Sequence, residues 1–69
     1  MPSTAIRHVD YEAARRVLTV TFVTGRRYVY AEVPRQVFEA FVTAPSKGTF
    51  FNAEIRNAYA YEELERERP

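Results

Sequence analysis

The stretch RVLTVTFVT, residues 16–24, constrains this chain more than any other, because its side chains alternate strictly. Leu18, Val20 and Phe22 fall on one side, and Val17, Thr19, Thr21 and Val23 on the other. Period two with so many β-branched residues is the pattern of a strand. Gly25 follows, and RRYVYAEV (26–33) supplies an antiparallel partner. The loop between them decides where the later side chains point. A two-residue type I′ turn would force positive φ on Thr24, which a β-branched residue resists. A three-residue loop asks for positive φ only at Gly25 and closes with a G1 bulge. That loop pairs Phe22 with Arg26, Val20 with Tyr28 and Leu18 with Tyr30. Both tyrosines then share the face of Leu18, Val20 and Phe22, whereas a slip of one residue would turn them to the threonine face.

The other elements follow from local signals. TAIRHVDYE (4–12) mixes β-branched and polar residues as a first strand does, and a turn lies within residues 10–15. Pro34 has a φ suited to the first turn of a helix. The segment PRQVFEAFVTA (34–44) carries Val37, Phe38, Phe41 and Val42 on one stripe. Ala44-Pro45 breaks it. Ser46 is placed to cap a second helix, SKGTFFNAEIRNA (46–58), with Phe50, Phe51, Ile55 and Ala58 inward. YAYEEL (59–64) either adds a short extended segment or docks Tyr59, Tyr61 and Leu64 on the core. The expected fold is α+β: a three-stranded antiparallel sheet in the order β-β-β-α-α, with two helices packed on one face. Residues 1–61 form a single domain, and 62–69 a charged, frayed tail.

Composition excludes several function classes. Sixty-nine residues make one domain with a marginal core. With no cysteine and a single histidine, His8, neither a disulfide framework nor a structural zinc site can form, and no cofactor is implied. No run approaches the roughly 20 apolar residues of a membrane span. The start MPSTAIRHVDY lacks a basic region followed by an apolar one, so a cytoplasmic location is expected. Residues 62–69 hold four glutamates and two arginines, whereas residues 1–61 hold eight basic and five acidic side chains, a balance of +3. A mildly basic body is compatible with a polyanion partner.

Two constellations could carry binding. The cations Arg26, Arg27, Arg35, Lys47 and Arg56 fall near the hairpin tip and the helix starts, interleaved with Tyr28 and Tyr30. Single-stranded RNA is held by such combinations, with bases stacked on rings and phosphates neutralised by arginine or lysine. The register puts the two tyrosines under the helices, so the reading here is core rings with cations outside. Ser46-Lys47-Gly48 could present N–H groups, a hydroxyl and an ammonium to an anion, but it lacks the spacer and second glycine of a P-loop. Its plain alternative is a helix cap. No acid, base and nucleophile trio emerges. His8 reads as a sheet-edge residue, and Glu32 and Glu39 as solvated carboxylates. Asn52 and Arg56, four apart, share a helix face.

Taken together, STAIRHVDYE, LTVTFVTGRRYVYAEVP and APSKGTFFNAEIRNAY resemble the KTSC domain family. That family occurs at the C-terminus of some lysyl-tRNA synthetases and as small free-standing bacterial proteins. Its central Y-x-Y matches Tyr28-Val29-Tyr30, its strand–glycine lead-in matches Thr19–Gly25, and its S-K-G-x-x-F-N matches Ser46, Lys47, Gly48, Phe51 and Asn52. The charged tail and the Arg26-Arg27 pair depart from the commonest pattern. The resemblance implies RNA binding through the synthetase attachment and offers no catalytic residues. The expected function is a non-catalytic module binding RNA or single-stranded nucleic acid. The alternative is a protein-interaction or self-assembly module, such as a homodimer pairing edge strands.

Overall fold

The structure is a computed structural model, and it describes residues 6–64. Four strands form one antiparallel sheet in sequence order: β1 (Ile6–Glu12), β2 (Val17–Phe22), β3 (Arg27–Tyr30) and β4 (Tyr61–Leu64). Between β3 and β4 the chain makes helix α1 (Arg35–Thr43), then α2 (Lys47–Phe50), which runs into one π-helical turn over Phe51–Ile55.

The β2–β3 hairpin has the register expected from Gly25. Leu18 opposes Tyr30 and Val20 opposes Tyr28. Gly25 has φ 93°. The Phe22 N–H donates to the Arg26 carbonyl at 2.9 Å, and the Gly25 N–H donates to the Phe22 carbonyl at 2.9 Å. At the other end of β2, the turn from β1 places a non-glycine residue, Arg16, at φ 56°. The Arg16 carbonyl accepts the Val33 N–H at 2.9 Å, so this turn also anchors the chain leaving β3.

Pro34 stands one position before the helix rather than within its first turn. Its backbone is extended (φ −64°, ψ 149°), while its carbonyl accepts the N–H groups of Val37 and Phe38 at 3.0 and 3.2 Å. Ala44 is extended (φ −66°, ψ 143°), as a residue preceding proline must be to avoid the ring. Ser46 caps α2, its Oγ accepting the Thr49 N–H at 3.3 Å. The second helix is not regular over 46–58. The Arg56 N–H reaches back five residues to the Phe51 carbonyl at 2.9 Å. Within this turn Phe51 and Ile55 are buried, and Asn52, Ala53 and Glu54 are exposed. Ala58, expected inward, is exposed.

The sheet has four strands, not three. Glu62, Glu63 and Leu64, assigned above to a frayed tail, pair with Val29, Tyr28 and Arg27. Glutamate disfavours strands in general, but at a solvent-facing edge the charges stay hydrated while the backbone satisfies the open side of β3. The Ala31 N–H donates to the Ala60 carbonyl at 2.9 Å and starts the pairing one step earlier. The expected domain end at residue 61 therefore falls inside β4, and residues 65–69 lie outside the described part.

The core sits between one sheet face and the helices. Leu18, Val20, Tyr30, Val33, Phe41, Phe51 and Ile55 are buried together. Tyr11 closes the β1 side, stacked on Phe38 with centroids 4.6 Å apart, and its hydroxyl donates to the Val33 carbonyl at 2.7 Å. The opposite face carries His8, Thr21 and Arg27 in one row and Asp10, Thr19, Val29 and Glu62 in the next, with Thr21 buried among them.

Candidate nucleic-acid interface

The helices do not cover the inner face of the sheet evenly. Tyr30 is buried, at 2% exposure, with its ring 5.5 Å from that of Phe51. Tyr28, two residues nearer the hairpin tip, is only half-buried and leans edge-on against Phe22 at 5.5 Å. The Tyr-Val-Tyr pair therefore divides, with one ring in the core and one at its rim.

A third ring joins them from β4. Tyr61 directly opposes Tyr30, and Glu63 directly opposes Tyr28. Tyr61 lies 5.6 Å from Tyr28 in an edge arrangement and 5.4 Å from Tyr30 in a tilted one, yet it is 59% exposed. One flank of its ring packs on the domain, and more than half of its surface faces water. Such a ring has an apolar body available to a partner and a satisfied back.

Two arginines border these rings. Arg26 lies just before β3, where its carbonyl accepts the Phe22 N–H, and its side chain interacts with that of Tyr28. A hydrogen-bonding interaction with Tyr28, and after it the charge of Glu63, holds the Arg26 guanidinium above its ordinary value. Arg56 leaves the π-helical turn, donates to the Asn52 Oδ1 at 3.3 Å, and sits close enough for its charge to act on Tyr30. Burial first, then the Tyr61 and Tyr28 phenols, push the Tyr30 hydroxyl up to about 12, while Arg56 acts in the opposite direction.

That displacement makes a stability prediction. The unfolded chain loses the phenolic proton near pH 10, and the folded chain holds it to higher pH. The stabilisation from a neutral Tyr30 is therefore whole below about pH 10 and is lost as pH rises toward 12. Stability from urea unfolding measured from pH 9 to 11.5 should fall more steeply for the native chain than for Tyr30→Phe, by on the order of 1–2 kcal/mol because the range ends below the folded value. Parallel curves for the two would mean that Tyr30 is not held neutral by its surroundings.

Of the residues singled out from sequence, Arg26, Arg56, Tyr28 and Tyr30 come together. Arg27 does not, because it lies on the opposite sheet face between Thr21 and Leu64. Arg35 pairs with Glu39 on α1, Nε to Oε2 at 3.1 Å. Lys47 is exposed at the first position of α2, nine residues before Arg56 and so roughly 13 Å away along a helical rise. The Ser46 hydroxyl is committed to the cap, accepting from the Thr49 N–H and donating to Thr49 Oγ1 at 3.0 Å. Tyr61 and Glu63 join the site although neither was a candidate. The signal was the period-two run Tyr59, Tyr61, Glu63, hidden by the acidic composition around it. Among the described residues no group of histidine, aspartate and glutamate side chains could hold a metal ion, and no helix is long and apolar enough to cross a membrane.

A meandering antiparallel sheet with a helical pair on one face and an aromatic rim at β3–β4 defines a small α+β domain class. Residues 2–59 match the KTSC domain model, and the chain belongs to that family. A crystal structure of a KTSC domain protein from Yersinia pestis superposes with a TM-score of 0.85, at 27% identity, over 94% of each chain. A lysine–tRNA ligase of Trichormus variabilis is 39% identical over 59 residues, 86% of this chain but 10% of the ligase. The chain thus spans about a tenth of that relative's length. A protein of Tsukamurella paurometabola is 37% identical over 54 residues, covering 78% of this chain and 81% of its own.

Proposed function

We propose that this chain is a non-catalytic module that binds single-stranded nucleic acid, RNA in the first place, across the Tyr28–Tyr61 rim. The observation that carries this reading is Tyr61, a ring more than half open to water yet backed by Tyr28 and Tyr30, the tyrosines on which Arg26 and Arg56 respectively act. A base can stack on its open face while the guanidinium groups meet the adjoining phosphates. The likeness to lysine–tRNA ligases, proteins named for a tRNA substrate, supports RNA over DNA. A cytoplasmic location follows from the same reading.

With Arg26 and Arg56, and Lys47 as an outlying third cation, two to three phosphates are neutralised. The log of affinity against the log of salt should then fall with a slope of about −1.5 to −2, given roughly −0.7 per phosphate on single strands. Fluorescence anisotropy with a mixed-sequence RNA at two salt concentrations measures it. No binding at low salt would end this reading, and a flat salt response would remove the arginines from it.

The alternative of edge-strand self-assembly has less support. The edge strand β1 carries a register shift between Ile6 and His8, and the edge strand β4 carries adjacent glutamates. Both are features that blunt an edge against pairing.

A further inference from the structure

A carboxylate is out of place on a surface that takes a polyanion, and Glu63 stands within the aromatic rim. It opposes Tyr28, follows Tyr61 by two positions on the same face, and its charge acts on Arg26. Glu62, its neighbour, pairs with Val29 on the other face. Both residues lie beyond the part of the chain matched by the family model, which ends at residue 59.

An ionised carboxylate only accepts hydrogen bonds, through two oxygens. Cross-strand partners have Cβ atoms about 4.5–5.5 Å apart, so the Glu63 side chain stands at the margin of the Tyr28–Tyr61 pair rather than over it. A base stacked on the open face of Tyr61 would turn an edge toward that carboxylate. Adenine and cytosine can offer a single amino group there, and uracil one ring N–H. Guanine offers N1–H and the N2 amino group side by side, which matches the two oxygens of one carboxylate and gives paired, charge-assisted bonds.

Resting on the RNA-binding reading above, we propose that Glu63 makes the rim selective for guanine, accepting N1–H and N2–H from a base stacked on Tyr61. Arg26 then has a double part, balancing the Glu63 charge and meeting the phosphate beside the selected base.

The test uses labelled single-stranded heptamers, U7 and the same strand with guanine or inosine at its centre, titrated by anisotropy at low salt. The native chain should hold the guanine strand about five- to tenfold tighter than U7, the lower end for a bidentate contact because the site is open to water. Inosine, which lacks the N2 amino group, should fall between them. Glu63→Gln should abolish the preference, read as the ratio of guanine-strand to U7 affinity on the same protein, because the amide has one acceptor oxygen in place of two. Glu62→Gln makes the same charge change on the other face and should keep the preference. Equal binding of the guanine strand and U7, or a preference that survives Glu63→Gln, overturns the proposal and leaves the RNA reading standing. No binding of any strand overturns both.

Discussion

Phe51→Ala should cost the chain about 3–5 kcal/mol, a large part of its stability. Phe51 is buried at the start of the π-helical turn, and its ring touches those of Phe22 at 5.4 Å, Tyr30 at 5.5 Å and Phe41 at 6.4 Å. It thus joins β2, β3 and α1 through one side chain. Removing a buried phenylalanine costs about 3–5 kcal/mol in lost transfer energy and cavity. A chain of this length has roughly 4–10 kcal/mol of stability in all. Urea unfolding followed by circular dichroism at 222 nm should show the midpoint dropping by about 3–5 M, given a slope near 1 kcal/mol per molar for so small a domain. Phe50→Ala is the comparison. Phe50 is half-buried and stacks on Phe41 alone among the rings, at 5.8 Å, so its loss should be the smaller. A Phe51→Ala midpoint within 1 M of the native one would show that the helical turn is not held to the sheet by this ring.

Tyr61→Ala carries the largest expected effect on binding. A base stacked on an aromatic side chain is worth about 1–3 kcal/mol by alanine substitution, which is roughly 5- to 150-fold in affinity. The fold should bear the change, because Tyr61 is at the edge strand and 59% exposed. Its edge contact with Tyr28 and tilted contact with Tyr30 are ring pairs worth roughly 0.5–1.5 kcal/mol each, toward the lower end at so exposed a position. The signature is therefore a split, with RNA affinity falling fivefold or more and the urea midpoint falling by about 1 M, well short of the drop in Phe51→Ala. Tyr61→Phe should bind as the native chain does, since stacking uses the ring and not the hydroxyl. Native-like affinity in Tyr61→Ala would shift the ligand to another surface.

The legible parts of this fold share one property, which is that few residues decide them. Gly25 alone chose between two loops, and the choice set the register of β2 and β3. The Ala44-Pro45 step ended α1, and Ser46 began α2, each through the backbone of its immediate neighbours. The helical stripe of Val37, Phe38 and Phe41 placed α1 on the sheet. Where local and tertiary demands differed, the local reading failed. A regular helix over 46–58 gave way to a π-helical turn at Phe51–Ile55, and Ala58, expected inward, came out exposed.

The site was half visible. Arg26, Arg56, Tyr28 and Tyr30 were named from their types and spacing, and the structure gathers them. Arg27 was separated from Tyr28 by strand alternation, since successive side chains point to opposite faces. Tyr61 and Glu63 sit where an alternating run, Tyr59, Tyr61, Glu63, passes into an acidic segment that looks like a solvated tail, so the sequence left an extended segment and a docked one both open.

Alternation, one glycine and two prolines were enough to determine the hairpin, its inward-facing tyrosines and the two helical segments, because turn and capping energies act over a few residues. Only the tertiary structure decided that residues 61–64 return as a fourth strand, and that Tyr28 stays at the rim while Tyr30 is covered. Those outcomes depend on an open backbone edge on β3 and on where the helices stop, and the strands that meet there are separated by thirty intervening residues of chain, from 31 to 60.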